Sequence, residues 1–314
     1  MDKLKIVYMG TPEFSVEPLK KLNEIYDVVL VVTQPDKKVG RKQEIKYSPV
    51  KEYALNNNIE VFQPVKIREE YQKILDKKPD IIITCAYGQI IPKILLDYPK
   101  YGCINIHASL LPKYRGGAPI HHAIINGEKY TGITIMYMDT KMDSGDILCQ
   151  EKIEIKDDDN VGTMFNKLSI LGSKMIVKYL PDIIHGNINP IKQDEIDVTY
   201  AYNISKEDEV IDFNNKTIDI FNKIRGLNPF PVGYSYLDGK RVKLYSSKVG
   251  NSNKGSIIGE IINIYDDGIG VRTLDGEIII TELQFEGKKK TSTKEYLNGV
   301  QDKNYLLGKI FTNF

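Results

Sequence analysis

The chain has 314 residues, a formal net charge of +1, and a composition that is 41% hydrophobic and 27% charged. At roughly 100–200 residues per domain, this length predicts about two domains, and the apolar content excludes a disordered or fibrous chain. The balanced charge excludes a uniformly basic nucleic-acid binder, although a local basic patch remains compatible with it.

Buried strands alternate with helices through the first part of the chain. Apolar runs predict strands at 5–9 and 27–33, with a helix at 15–25 between them. The same patterns predict further strands at 60–62, 80–84, 102–106 and 132–138, and helices at 49–57, 67–76 and 161–184. This alternation predicts an open, parallel-rich, Rossmann-like α/β sheet.

The composition changes after the helix at 161–184. Residues 185–208 are polar and rich in turn residues, with two basic and five acidic side chains, and they read as a linker. Beyond them, a helix near 218–224 precedes short strands separated by turns, which is typical of a small OB-like β-barrel. The predicted domains are therefore 1–186 and 208–314, joined by a linker at 187–207.

The cysteines and the N-terminal sequence indicate the cellular compartment of the protein. Cys85, Cys103 and Cys149 form no CxxC pair, which argues against a disulfide scaffold or a zinc ribbon. The first apolar run meets Gly10 and Pro12 too early for a signal peptide or a membrane span, and no span is predicted elsewhere. We therefore expect a cytoplasmic protein that binds neither a metal nor a membrane. We also expect a monomer.

The segment 102–127 carries the most unusual chemistry. Its strand ends in Asn105-Ile106-His107, and residues two apart on a strand project from the same face. That end of a parallel strand borders the ligand crevice of an open α/β sheet. A downstream loop offers Asp143 and Asp146, and a carboxylate favours a cationic histidine, which with an amide would stabilise an oxyanion. From these residues alone, a structural histidine remains an equal alternative.

Several stretches carry a resemblance to a known family. INIHASLLPKYRGGAPIHHAIINGE at 104–128, with Asp-Ser-Gly-Asp at 143–146, closely resembles the signature of folate-dependent formyltransferases. Members that act on tRNA are similar over further stretches: MGTPEFSVEPL at 9–19, VTQPDKKVGRKQEIKYSPVK at 32–51, AYGQIIP at 86–92, ISKEDEVIDF at 204–213, IRGLNPFPVGY at 224–234 and LQFEGKKKTSTKEYLNG at 283–299. The resemblance thus runs essentially from end to end.

The resemblance implies transfer of the formyl group of 10-formyltetrahydrofolate to the α-amine of methionyl initiator tRNA, for translation initiation. Carried over by motif, its catalytic residues are Asn105, His107 and Asp143. The folate site would comprise Ala86, Tyr87, Gly88, Gln89, Ile90 and Ile91, together with Ser109, Leu110, Leu111 and Pro112. The tRNA contacts would come from Lys37, Lys38, Arg41 and Lys42, and from Lys288, Lys289 and Lys290. Arg115 is expected to brace the Leu111–Pro112 turn, where a cis peptide is allowed.

Three other functions share part of this pattern. The formyl acceptor could be glycinamide ribonucleotide or an amino-sugar nucleotide, but the basic segment 36–51 and the C-terminal barrel favour tRNA. Water could replace the amine, which would give hydrolysis of the formylfolate. A catalytically silent RNA-binding protein on the same scaffold would be expected to lack Asn105, His107 or Asp143, and all three are present.

Overall fold

A computed structural model describes residues 4–39 and 43–313, which fall into two compact units. The first unit runs up to Pro119 and also includes Tyr130–Glu154 and Phe165–Tyr202. The second unit comprises Ile120–Lys129, Ile155–Met164 and the chain from Asn203 onward.

The first unit is built on a mixed sheet. Its strands are β1 (Lys5–Gly10), β2 (Asp27–Val32), β3 (Lys37–Val39), β4 (Glu44–Lys46), β5 (Val61–Phe62), β6 (Ile81–Cys85), β7 (Cys103–His107), β8 (Tyr130–Tyr137) and β9 (Ile147–Glu154). The helices up to His185 are α1 (Val16–Ile25), α2 (Pro49–Asn56), α3 (Gln72–Asp76), α4 (Lys93–Asp97), α5 (Pro119–Ile125) and α6 (Val161–His185). Of these, α5 from Ile120 onward and α6 up to Met164 belong to the second unit.

The order of the main sheet is β5-β2-β1-β6-β7-β8-β9, while β3 and β4 pair with each other. The strands from β5 to β7 are parallel, and β8 and β9 add antiparallel strands at one edge. The central strand β6 is buried along its whole length, which explains why its sequence is continuously apolar rather than alternating. The predicted parallel-rich α/β sheet is confirmed.

The second unit contains an antiparallel sheet. Its elements are α7 (Thr217–Gly226), β10 (Tyr234–Leu237), β11 (Lys240–Gly250), β12 (Ile261–Ile264), β13 (Ile269–Arg272), β14 (Glu277–Phe285), β15 (Thr291–Ser292), α8 (Thr293–Asn298) and β16 (Phe311–Thr312). The order is β12-β13-β14-β11-β10-β16, and a bridge between Glu260 and Ile310 brings the two edges together. The sheet therefore curls around an apolar core that includes Val242, Leu244 and Ile280, which confirms the predicted barrel-like domain.

The structure differs from the predicted elements where the hydrophobic pattern of the sequence was short or weak. The helix predicted at 67–76 begins only at Gln72, because the Lys66 carbonyl turns the chain by accepting from the amides of Glu69 and Glu70. Strand β9 was missed because residues 150–154 are polar except for Ile153, so its alternating burial does not appear as alternating apolar and polar residues. The helices α4 and α8 have 5 and 6 residues, too few to show a helical period.

Candidate active site

Three neighbouring strands end at one edge of the first sheet. Gly10 at the end of β1 pairs with Cys85 at the end of β6, and Thr84 of β6 pairs with Asn105 of β7. The segments that follow these strands therefore begin side by side, at the carboxyl edge where an open α/β sheet binds its ligands. His107, the last residue of β7, lies at this same edge.

Asn105 is oriented by its neighbour on β6. The hydroxyl of Thr84 donates to Asn105 Oδ1 over 2.8 Å. The amide oxygen is thereby occupied, and Nδ2 makes no hydrogen bond to any residue within 4–39 and 43–313. Asn105 is half-buried and consequently offers an N–H donor at the strand edge.

His107 is buried, with 6% of its surface exposed. Its Nε2 lies 2.9 Å from the carbonyl oxygen of Tyr114, and its Nδ1 lies 3.7 Å from Asp143 Oδ2. When Nε2 carries a proton, it donates to the carbonyl of Tyr114. Nδ1 is beyond hydrogen-bond distance of the carboxylate, so this nitrogen can bond to a third group.

The carboxylate of Asp143 is held by a main-chain donor. The φ of +50° at this residue is in the left-handed region, and its Oδ2 accepts from the amide of Gly116 over 2.8 Å. The structure therefore brings the predicted aspartate to the predicted histidine. Asp146 contributes through its main chain, because its carbonyl accepts from the amide of Tyr137. The catalytic roles of Asn105, His107 and Asp143 remain predictions.

The predicted folate segment 86–91 forms an irregular loop after β6. Ala86 and Gly88 have positive φ angles of +48° and +89°. The carbonyl of Tyr87 accepts from Thr11 Oγ1 at 3.1 Å and from Gln34 Nε2 at 3.0 Å. These contacts tie the loop to the segments that follow β1 and β2, so its backbone is held in one shape.

A cleft of about 520 Å³ borders this loop. Its lining residues are Gln34, Val65, Lys66, Arg68, Glu69, Gln89 and Ile90, of which Gln89 and Ile90 belong to the predicted folate set. Gln89 Oε1 accepts from the amide of Ile67 over 2.9 Å, so the side chain forms a fixed part of the wall. Ile90 is 70% exposed, an unusual position for an isoleucine.

The second predicted folate segment, 109–112, is held by strands that sequence reasoning did not connect to it. Thr134 Oγ1 of β8 donates to the carbonyl of Ser109 over 2.7 Å, and Gln150 Nε2 of β9 donates to the carbonyl of Leu111 over 2.7 Å. Leu110 precedes the Leu111–Pro112 peptide, which is cis. Thr134 and Gln150 pair directly across β8 and β9, and neither position gave a sequence signal of this role.

Arg115 differs from its expected place. Its guanidinium is almost fully buried, at 3% exposure, and bonds to residues of the predicted linker. Nε donates to Gln193 Oε1 at 3.0 Å, and Nη2 pairs with Glu195 Oε1 at 3.0 Å. Arg115 thus connects the segment after β7 to residues 193–195.

The predicted tRNA-binding residues lie in different settings. Lys37 and Lys38 are exposed on β3, and Arg41 and Lys42 lie outside the described residues. Lys288, Lys289 and Lys290 are exposed after β14, and Nζ of Lys290 lies 2.9 Å from Glu282 Oε2. The charge of Lys290 is therefore partly neutralised by an ion pair.

Replacing Gly116 with Ala is expected to destabilise the protein by about 1–3 kcal/mol. Its φ of +125° is disfavoured for any residue with a Cβ, and that atom would lie 2.6 Å from the carbonyl oxygen of Ala201. Gly186→Ala is the matched control, because φ is +72° there and the Cβ would contact nothing within 4 Å. Urea unfolding of both variants measures the difference. Equal losses would mean that close packing on Ala201 adds nothing.

Within the ranges 4–39 and 43–313, the His, Cys, Asp and Glu side chains form no group of three or more that could hold a metal ion. In the same part of the chain, every helix is too short or too polar to cross a membrane.

Comparisons with known proteins identify the family of the chain. Residues 4–180 match the model of the formyl transferase family, and residues 203–301 match that of the formyl transferase C-terminal domain. A methionyl-tRNA formyltransferase of Geobacillus sp. (strain WCH70) is 51% identical over 300 residues, which cover 94% of each chain. That of Bacillus subtilis (strain 168) is 48% identical over 299 residues, again covering 94% of each chain.

The chain belongs to the methionyl-tRNA formyltransferase family.

Solved structures of formyltransferases share the fold. A methionyl-tRNA formyltransferase from Clostridium thermocellum has a TM-score of 0.54 at 20% identity and covers 79% of this chain and 94% of its own. The sugar 3N-formyl transferase WlaRD has a TM-score of 0.68 at 23% identity and covers 92% of this chain and all of its own. The formyltransferase fold thus occurs in proteins whose acceptors differ, so the acceptor of this chain must be argued from other features.

Proposed function

We propose that this protein transfers the formyl group of 10-formyltetrahydrofolate to the α-amine of methionyl initiator tRNA. One observation carries the proposal: Asn105, His107 and Asp143 meet at the sheet edge of a chain that is about half identical, over almost its whole length, to methionyl-tRNA formyltransferases. The test is the appearance of formylmethionyl-tRNA when the purified protein receives the formyl donor and the charged initiator tRNA.

The reaction forms one carbon–nitrogen bond and breaks another. The free amine of the methionyl group attacks the formyl carbon, and negative charge develops on the formyl oxygen. The bond between that carbon and N10 of the folate then breaks, and N10 receives the proton that the amine loses. An amine acceptor explains why no serine or cysteine nucleophile is needed.

Asn105 and His107 supply the donors for the developing charge. Asn105 Nδ2 is unbonded within the described residues, and His107 Nδ1, which carries a proton in this mechanism, lies 3.7 Å from Asp143 Oδ2. Donors that are fixed before the reaction stabilise an oxyanion without reorganisation. Asp143 stabilises the imidazolium and assists transfer of the amine proton to N10.

The loop segments 86–91 and 109–112 fit a flat ligand with many hydrogen-bonding groups. The formyl donor supplies an activated formyl group, and the protein binds and orients it. Positive φ angles at Ala86 and Gly88 turn main-chain groups of the loop, and Gln89 and Ile90 continue into the adjacent cleft. Such backbone groups can recognise a heterocycle edge without charged side chains.

The tRNA is held through local basic segments rather than by the overall charge. Residues 36–51 carry six basic and two acidic side chains, whereas the whole chain carries +1. Lys37 and Lys38 are exposed on one strand of the β3–β4 hairpin. In the second domain, residues 208–314, Lys288 and Lys289 provide further cations for phosphate contacts.

The double variant Lys37→Ala with Lys38→Ala is expected to lower kcat/KM for the tRNA several-fold and to leave KM for the folate unchanged. Each lost phosphate contact should also reduce the salt slope of log kcat/KM by about 0.7–0.9. Arg41→Ala should act in the same direction. Lys20→Ala on α1 is the control, since that lysine is exposed and pairs with Glu17. An unchanged kcat/KM and salt slope would remove the segment 36–51 from the tRNA interface.

The proposal includes a cellular compartment and an oligomeric state. We propose that the protein acts as a monomer in the cytoplasm. The cysteines Cys85, Cys103 and Cys149 are unpaired, which fits a reducing compartment. Burial raises the pKa of Cys85 to about 12, so this thiol is little reactive. Light scattering at working concentration should give the mass of one chain, 35.8 kDa.

A further inference from the structure

Residues 191–201, here called the strap, follow α6 and bond to the segment after β7. The carbonyl of Thr199 accepts from the amide of Arg115 over 2.9 Å, and the amide of Ala201 donates to the carbonyl of Arg115 over 2.7 Å. The carbonyl of Ala201 accepts from the amide of Ala118 over 3.0 Å. The strap therefore satisfies backbone groups of residues 115–118 that belong to no strand of the main sheet.

The strap also reaches the loop that carries Asp143, and it does so through one side chain. Gln193 Nε2 donates to the carbonyl oxygens of both Asp143 and Gly145, each over 2.8 Å. Gln193 Oε1 accepts from Arg115 Nε over 3.0 Å. Both ends of this half-buried amide are therefore used, and its orientation is determined by donors and acceptors on two different segments.

These contacts bear on the position of the Asp143 carboxylate. The left-handed backbone of Asp143 is disfavoured for a residue with a Cβ, so the peptide at this position needs external support. Gln193 supplies it by fixing the carbonyl of Asp143, while the amide of Gly116 fixes the carboxylate. Both supports depend on the strap, because Gly116 follows Arg115, whose amide and carbonyl both bond to it.

We propose that Gln193 is a positioning residue for formyl transfer, which holds the Asp143 loop so that the carboxylate faces His107. The proposal rests on the proposed function, because the reaction whose rate it governs is formyl transfer. Arg115 orients Gln193, and its charge is balanced by Glu195 at 3.0 Å. Gln193 itself contacts no reacting atom and acts through Asp143.

The first experiment compares Gln193→Met with the parent protein. Methionine has a similar length but lacks the amide, so both bonds to the loop and the bond to Arg115 are lost. We expect kcat to fall by up to about 10²-fold, since displacement of a catalytic group by about 1 Å has effects of this size. KM for each substrate should change less than about 2-fold. The control is Gln72→Met on α3, whose amide bonds to Asp76 at the surface. An unchanged kcat in folded Gln193→Met would overturn the proposal.

The second experiment tests whether Gln193 acts through Asp143. In the background of Asp143→Asn, Gln193→Met should lower kcat by less than about 2-fold, because the group that Gln193 positions is already disabled. A merely structural role would give the same fold-loss in both backgrounds, and that result would overturn the proposal. Gln193→Glu keeps the acceptor for Arg115 but loses the donor to both carbonyls. The kcat of Gln193→Glu should therefore fall as far as that of Gln193→Met. A normal kcat in Gln193→Glu would overturn the proposal.

A third measurement does not depend on activity. Hydrogen exchange of residues 139–147 should become faster in Gln193→Met, while exchange in β1 and β6 stays as in the parent protein. If the parent protein formylates no tRNA, the proposed function fails, yet this readout still tests the positioning of the loop. Unchanged exchange in 139–147 would contradict the inference even if the function is right.

Discussion

His107→Ala should lower kcat for formyl transfer by about 10²–10³-fold, the usual loss when one donor to a developing oxyanion is removed. The effect should fall on kcat rather than on KM, because the charge that His107 stabilises exists only in the transition state. His185→Ala is the matched control: that histidine is exposed near the end of α6 and bonds to the carbonyl of Pro181. Steady-state kinetics with both substrates varied would measure the effect.

The partner of His107 can be tested in the same assay. Asp143→Asn should also lower kcat, and the double variant with His107→Ala should be no slower than the slower single variant, because the two groups act as a unit. Near-normal kcat in folded His107→Ala would contradict the assignment. Fully multiplicative losses would mean that Asp143 acts independently of the imidazole.

Asn105→Asp should be at least as damaging as Asn105→Ala, with a loss of about 10²–10³-fold in kcat for each. Aspartate keeps an oxygen that can accept from the Thr84 hydroxyl, so the local packing is retained. It replaces the Nδ2 donor with a second oxygen, and a negative charge then faces the developing oxyanion. The two variants thus separate loss of the donor from loss of packing.

The measurement combines kcat with unfolding in urea. Asn105→Asp should unfold close to the parent protein while losing activity. If Asn105→Asp retains more activity than Asn105→Ala, the amide does not act as a donor and the bond to Thr84 is what matters. That outcome would leave His107 as the main oxyanion donor.

Local patterns were sufficient to predict much of the site. The two-residue period of a strand placed Asn105 and His107 at one edge, and the alternation of strands with helices made that edge the carboxyl end of a parallel-rich sheet. A loop that brings Asp143 or Asp146 to the same crevice was also predicted, but the choice of Asp143 rested on the family resemblance, because it lies 36 positions after His107 and no local rule fixes the distance between them.

The supports of the site could not be predicted because they bond across long stretches of chain. Thr134 and Gln150 hold the segment 109–112 from strands β8 and β9, and Gln193 holds the Asp143 loop from a segment whose composition indicated only a linker. Polar, turn-rich composition indicates that a segment forms no regular element. It does not indicate which backbone groups that segment will satisfy.

The most direct test of the central claim is a formyl-transfer assay with three acceptors offered in parallel. Purified protein and 10-formyltetrahydrofolate would be incubated with methionyl initiator tRNA, glycinamide ribonucleotide or an amino-sugar nucleotide, and the formylated products would be quantified. Our account predicts a kcat/KM for the tRNA that exceeds both others by orders of magnitude, and loss of that activity in His107→Ala. Preferential formylation of either small acceptor, or release of formate with none of the three formylated, would contradict it.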